Sequence, residues 1–223
     1  VEAADLHARL FRVTLTVRKP AEVQRVSLPV WIPGSYLVRE FAKNLQRLQA
    51  SQLKRVLTPT QIDKCTWDVA CNPDQSLVLT YEVCAFDNSV RTAWLDASRG
   101  FFNGTSLCLR VEGQTQLPHV IEIVRTPGVR DWEVATGLKP LKVLASGFGT
   151  YRADDYDELA DCPVEMGTFW SGTFKARGVP HRFVVAGAPP SFDGAKLLAD
   201  TRKICETAIQ LWHPATPGEK RAP

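Results

Sequence analysis

SLVLTYEVCAF, residues 76–86, decides the fold class. Leu77, Leu79, Tyr81, Val83 and Ala85 fall on one face of an extended chain. A period of two, carried by branched and aromatic side chains, is the signature of a β-strand lying on a core. Working upstream, LHARLFRVTLTV (6–17) repeats the pattern: Phe11, Val13, Leu15 and Val17 share one face, with Arg12, Thr14 and Thr16 on the other. Lys19-Pro20 ends that strand. VQRVSLPVWI (23–32) is another, with Pro29 marking an edge or bulge. Pro33-Gly34 reads as a tight turn, residues 36–44 as a helical turn, and 45–50 as extended. Downstream, strands are predicted at 90–95, 105–111, 119–124, 131–136 and 147–152. Short strands broken by Pro, Gly, Asn and Asp predict a mainly β, antiparallel, β-sandwich-like body. No fixed repeat is present, which argues against a propeller or solenoid.

The rhythm changes twice. In DDYDELAD (154–161), five of eight residues are acidic. Their spacing does not follow a calcium-binding EF-hand loop, so a solvated turn or short helix is expected. Two more strands are predicted within 168–187. The period then becomes helical from Ala195 to Trp212, with Leu197, Leu198, Ile204, Cys205, Ala208, Ile209 and Trp212 as a broad apolar face. Asp193 is a suitable N-cap, His213-Pro214 stops the helix, and its length is roughly 28 Å at 1.5 Å per residue. ATPGEKRAP (215–223) reads as a linker or exposed end. These patterns predict a β-rich domain over 1–168 and the strand-and-helix beginning of a second domain over 169–223, with strands near 168–187 and a helix near 194–212. Such a helix cannot bury its own apolar face. It is expected to dock on the β domain, to form a homodimer, or to be poorly ordered.

Composition bounds the function. The chain has 223 residues, 27 Lys+Arg against 24 Asp+Glu, a net charge of +3, 44% hydrophobic and 23% charged residues. That excludes a disordered chain, a collagen and a strongly basic nucleic-acid-binding tail. Arg9, Arg12, Arg25 and Lys54 are dispersed, so no nucleic-acid partner is expected. No stretch approaches the roughly 20 apolar residues of a membrane span, and no membrane partner is expected. The six cysteines form no CxxC pair. They read as buried thiols of a reducing, cytoplasmic compartment, or, alternatively, as including one Cys65–Cys71 disulfide of a periplasmic protein. His7, His119, His181 and His213 include no i, i+4 pair for a metal.

Three segments are more specific: LPVWIPGSYLVREFAKN (28–44), VRTAWLDASRGFFNGTSL (90–107) and YDELADCPVEMGTF (156–169). In this order they resemble the glycyl aminopeptidase family of zinc metallopeptidases, peptidase family M sixty-one. The later stretch FVVAG…DGAKLLADTRKICETAIQLW is also similar to that family, at the entrance to its catalytic domain. The resemblance implies a multi-domain zinc aminopeptidase acting on peptide substrates, with an N-terminal β domain and a thermolysin-like α/β catalytic domain. Two His of an HExxH helix there hold zinc, and the Glu polarises the metal-bound water. This sequence contains no HExxH; the nearest string, HARLF (7–11), lacks the Glu and the second His. The family's Gly-Gly-Leu-Glu-His segment is also missing. The expectation is a fragment that holds no metal, lacks catalytic residues of its own, and is inactive without the remainder of its catalytic domain.

The same resemblance nominates substrate contacts, because related β domains lend polar groups to the peptide's free amine. Asn103 is the first candidate and Asp96 the second. Tyr36 and Arg39 are candidates for facing the cleft. The structural alternatives are a core role for Trp31, a turn at Asn103-Gly104 between two core aromatics, and an ion pair of Arg39 with Glu40 or another acid. Asn103-Gly104-Thr105 also fits a glycosylation pattern. Glu165 has no His near it in sequence, and Pro163–Gly167 reads as an interdomain hinge. The rival function is a stand-alone β-sandwich binding or scaffold module without catalysis. It accounts for the strands and the six Trp, but not for the terminal helix.

Overall fold

The computed structural model describes residues 1–32 and 34–213. The Pro33 half of the expected turn, the Pro214 stop and the 215–223 linker lie outside them. The chain divides into two compact units, Val1–Gly167 and Thr168–Pro223.

The first unit is mainly β, and every strand ladder in it is antiparallel. Leu77–Cys84 is the central strand of a five-stranded sheet, flanked by Leu10–Val17 and Leu45–Gln52. The register with its first neighbour runs from Leu10 opposite Cys84 to Val17 opposite Leu77. This brings the two apolar faces read from sequence onto the same side. Phe11, Val13 and Val17 are buried there beside Leu77, Leu79, Tyr81 and Val83. Phe11 meets Phe102 edge to face, ring centres 5.5 Å apart. Each such ring withdrawn from water contributes about 1.5–3 kcal/mol. On the other side of the strand, the buried Glu82 carboxylate is held by Arg12 at 3.2 Å and Arg47 at 2.9 Å.

Three further sheets close around the same core. Val164–Gly167 lies between Glu133–Thr136 and Arg99–Phe102, with Ala93–Leu95 at the outer edge. Val23–Ser27 lies between Arg110–Val111 and Thr66–Ala70. Gly149–Ala153 lies between His119–Ile123 and Lys139–Val143. Two short α-helices, α1, Gly104–Leu107, and α2, Tyr156–Asp161, and two 3-10 turns, Phe41–Asn44 and Pro127–Val129, complete the unit. In α2, Asp155 caps the first turn by accepting from the Glu158 amide at 2.7 Å, while Tyr156 and Leu159 are buried. The acidic run is therefore a helix with a core-facing side rather than a fully solvated turn.

Several expectations are corrected. Residues 105–111 are not one strand: α1 occupies 104–107, and only Arg110–Val111 is extended. Asn103-Gly104 is not a hairpin turn. Asn103 is extended (φ −90°, ψ 148°) and precedes α1. Gly104 is required by close packing, since a Cβ there would lie 2.5 Å from the Leu159 carbonyl oxygen. Asn103 and Thr105 are buried, so the glycosylation pattern is sterically closed. Pro163–Gly167 is no hinge, because Val164–Gly167 pairs on both sides. Trp31 is 51% exposed rather than in the core. Cys65 and Cys71 sit at opposite ends of the Thr66–Ala70 strand. Six extended residues span about 20 Å, far beyond the roughly 7 Å Cα separation a disulfide tolerates. All six thiols are free.

Among the described residues, the second unit contains a hairpin, Phe169–Ala176 with Val179–Ala186, and one helix, α3, Gly194–Trp212. Asp193 caps α3 by accepting from the Lys196 amide at 2.9 Å. The helix docks within its own unit, on the Phe169–Ala176 strand. Gly194 lets it approach, since a Cβ there would meet the Trp170 ring at 2.1 Å. Ile204, Leu211 and Trp212 remain exposed.

Candidate functional site

The three sequence segments that carry the family resemblance converge on one pocket in the first unit. Ile32 and Gly34 come from the first, Val90, Arg91 and Asn103 from the second, and Ala160, Asp161 and Pro163 from the third. The space is about 300 Å³ and open to solvent. Asn103 immediately precedes α1 and Ala160 and Asp161 end α2, two helices whose close packing the absence of a side chain at Gly104 permits.

Asn103 is fixed from two directions. Its Nδ2 donates to the Val90 carbonyl at 2.7 Å and lies 3.5 Å from the Thr92 carbonyl. Its own carbonyl accepts from the Ser106 hydroxyl at 2.8 Å. Thr92 Oγ1 donates to the Asp87 carbonyl at 2.8 Å. These bonds hold loop 87–92 as one wall of the pocket. Asn103 Oδ1 accepts from no described residue and remains available. A free amide oxygen is a suitable acceptor for an ammonium group.

The other nominated residues are placed differently. Asp96 does not line the pocket. Its Oδ1 accepts from the Ser98 amide (2.7 Å), the Ser98 hydroxyl (2.6 Å) and the Arg99 amide (3.0 Å), and its Oδ2 from Trp94 Nε1 (3.1 Å). Burial pushes this carboxyl up, but the bonds from Ser98, Arg99 and Trp94 together hold it below the usual carboxylate range. The residue locks the turn between two strands. Tyr36 and Arg39 belong to the loop that supplies Ile32 and Gly34, but neither lines the pocket. Tyr36 is 93% exposed. Arg39 Nε donates to Ser35 Oγ at 3.1 Å, and Glu40 pairs with Lys64 at 3.3 Å, so the Arg39–Glu40 pair does not form.

Arg91 and Asp161 were not singled out from sequence. Neither forms an ion pair with a described residue, so the wall presents a cation, an anion and an amide oxygen. Both lie inside the quoted segments, which was the available signal.

The described residues do not provide a zinc site: no group of three or more His, Cys, Asp or Glu side chains is placed to hold a metal. Glu165 is engaged by Arg99 in a two-pronged pair (3.0 and 2.8 Å), and burial raises its carboxyl despite that partner. His119 is lowered by burial and sits edge-on to Tyr156. The buried Cys108 thiol is pushed up to about 11, which makes it inert as a nucleophile. No helix among the described residues is long and apolar enough to cross a membrane.

A family model described as Peptidase M61 N-terminal domain matches residues 1–168. Among solved structures, the chain is similar to an aminopeptidase N family protein from Idiomarina loihiensis. Identity is 41% and the TM-score 0.91, over 96% of this chain and 36% of that one. This chain thus spans about a third of that relative's length. It also resembles an M1 zinc metallopeptidase from Deinococcus radiodurans, at 12% identity and TM-score 0.50, over 92% of this chain and 49% of that one. A variant of that enzyme bound to a Tyr-Ser-Ala substrate matches at the same values. At such identity the likeness shows the fold alone. No curated protein matches the chain. The match over residues 1–168 places the chain in the peptidase M61 family, with those residues as its N-terminal domain.

Proposed function

We propose that this chain is the non-catalytic N-terminal part of a zinc-dependent aminopeptidase of the glycyl aminopeptidase type, and that its pocket forms one wall of the cleft for short peptides. One observation carries the reading: segments distant in sequence, each part of the family resemblance, supply the walls of a single open pocket. In this role Asn103 Oδ1 accepts a hydrogen bond from the peptide's free ammonium group, and Asp161 adds a favourable charge. Arg91 lies near the peptide's carboxylate side. The zinc and the water it activates belong to a part of the enzyme outside this chain. In this reading the chain alone turns over no peptide, because the hydrolytic centre comes with the remainder of the enzyme.

The test is a chimera in which this chain replaces the matching third of the Idiomarina protein, assayed with glycyl peptides. Asn103→Ala is expected to raise KM about tenfold, as the loss of one charge-assisted hydrogen bond implies. An N-acetylated peptide should be refused by both proteins. An unchanged KM in Asn103→Ala, in a chimera that hydrolyses glycyl peptides, refutes the assignment of this wall.

A further inference from the structure

Opposite charges lining one small cavity attract each other. Arg91 and Asp161 line the same pocket of about 300 Å³, yet they form no ion pair among the described residues. Each is held by its own element. The Arg91 amide donates to Ser89 Oγ at 3.2 Å, and the Thr92 amide to the Ser89 carbonyl at 3.3 Å. Asn88 Oδ1 accepts from Arg99 Nη1 at 3.0 Å, and Arg99 is itself forked onto Glu165 of the Val164–Gly167 strand. Asp161 ends α2, which is fixed by the Asp155 cap and by buried Tyr156 and Leu159. A third polar group lies between them in sequence. Asn103 is only 6% exposed, and its Nδ2 is committed to the Val90 carbonyl. Its oxygen has no partner among the described residues, yet it is not one of the sealed-off polar atoms. Buried polar groups are normally satisfied, so an open acceptor on a buried amide that lines a pocket points to a ligand.

The bond from Asn103 to the Val90 carbonyl sets this acceptor one residue from Arg91, about 3.8 Å along the backbone. An acceptor and a cation on such close anchors suit a ligand whose ammonium and carboxylate are one or two residues apart. We infer that Arg91 is a specificity-determining residue, selecting peptides that carry a carboxylate on the residue after the N-terminal one. That carboxylate has two sources: the chain end of a free dipeptide, or the side chain of Asp or Glu at the second position. The chemistry is shared, because a planar guanidinium takes either one in a two-pronged bond. Asp161 repels the same anion and keeps it on the Arg91 side. The braced loop presents the cation without the entropic cost of ordering the backbone on binding. The inference rests on reading the pocket as a wall of the peptide cleft.

The chimera tests it with glycylalanine against glycylalaninamide, and Gly-Glu-amide against Gly-Gln-amide. In at least one pair the carboxylate-bearing peptide should have a kcat/KM about tenfold higher. Arg91→Gln should bring that ratio close to one, whereas a merely structural defect would lower both members and keep the ratio. Arg91→Lys, which keeps the charge but not the fork, should restore part of it. A preference in the first pair supports recognition of the chain end, and one in the second supports recognition of the side chain. No preference in either pair, or a preference that survives Arg91→Gln, overturns the inference. Calorimetric titration of the zinc-free chimera and of the 223-residue chain gives a readout that needs no turnover. Glycylalanine should bind about tenfold tighter than its amide, and equal binding overturns the inference. A carboxylate preference lost in Arg91→Gln, with KM unchanged in Asn103→Ala, defeats the amine assignment of the proposed function alone. An Asn103-dependent KM without any carboxylate preference defeats this inference alone.

Discussion

Replacing Tyr81 by Phe removes a single oxygen, and the structure gives that oxygen two duties. The segment Leu107–Leu109 connects α1 to the Arg110–Val111 strand inside the core. The Tyr81 hydroxyl donates to the Leu107 carbonyl at 2.7 Å and accepts from the Leu109 amide at 3.1 Å. Tyr156 adds a third bond, donating to the Cys108 carbonyl at 2.7 Å. Tyr81→Phe keeps the ring but leaves a buried N–H and a buried C=O without partners. Each costs about 1–3 kcal/mol, so the loss is about 3 kcal/mol. With a urea m-value of about 2 kcal/mol/M, the midpoint should fall by roughly 1.5 M. Tyr156→Phe strands one acceptor only and should cost about half as much. Urea titration followed by circular dichroism reads both. A loss below about 0.5 kcal/mol for Tyr81→Phe, with m unchanged, refutes the claim that this hydroxyl completes the backbone bonding of 107–109. The phenols also set an alkaline limit. Burial raises both well above their ordinary value. Their contribution is therefore complete below the unfolded phenol value of about 10 and is lost as pH rises toward the raised folded values. The part of the tyrosinate absorbance that is lost in Tyr81→Phe and Tyr156→Phe should accordingly appear together with unfolding, and an early rise of that difference signal in a still-folded chain would contradict this.

The other expectations concern the elements that shape the pocket. Gly104→Ala pushes a Cβ against the Leu159 carbonyl and should destabilise by about 1–3 kcal/mol, read by thermal melting, as α1 and α2 are forced apart. Arg99→Ala leaves the Glu165 carboxylate partly buried and unpaired and releases the bond to Asn88 Oδ1, at a cost of about 2–4 kcal/mol; Arg99→Lys, which keeps the charge but not the fork, should fall between. The Asp96 carboxyl titrates below its ordinary value in the fold, so its contribution is present above the unfolded value of about 4 and is lost as pH falls through the folded one. Asp96→Asn should therefore flatten the acid limb of a stability–pH profile, and an unchanged limb would refute the role given to the turn.

The parts of the fold that local pattern specifies were legible. Residues 10–17 and 77–84 alternate because one face of each meets the core, and Asp193 announces the start of α3 by its capping chemistry. Other elements carry no such signal. Lys139–Val143 is exposed along its whole length, so no apolar alternation marks it. Its Lys139, Pro140 and Lys142 suit an edge strand that must not pair further. Thr66–Ala70 does alternate, with Trp67 and Val69 buried, but five residues between turn signals give too short a pattern to stand out. Residues 105–111 have strand-like side chains, and only the approach of Leu159 explains why a helical turn begins at Gly104. Trp31 read as core because apolar spacing does not reveal which neighbours a loop will lack. At the pocket, Asn103 and Gly34 could be found from their motifs. Arg91 and Asp161 are brought beside them by long-range packing, for which sequence spacing gives no measure. At Asp96 the Asp-Ala-Ser order at 96–98 is a turn signal, and the turn occupies its carboxylate oxygens.

The most direct measurement places the 223-residue chain and the chimera side by side, with bound zinc and hydrolysis of a glycyl anilide determined on the same samples. The account predicts neither metal nor turnover in the chain alone, and stoichiometric zinc with glycine release in the chimera. Zinc-dependent hydrolysis by the isolated chain, or a folded, zinc-loaded chimera that leaves the glycyl anilide intact, would contradict it.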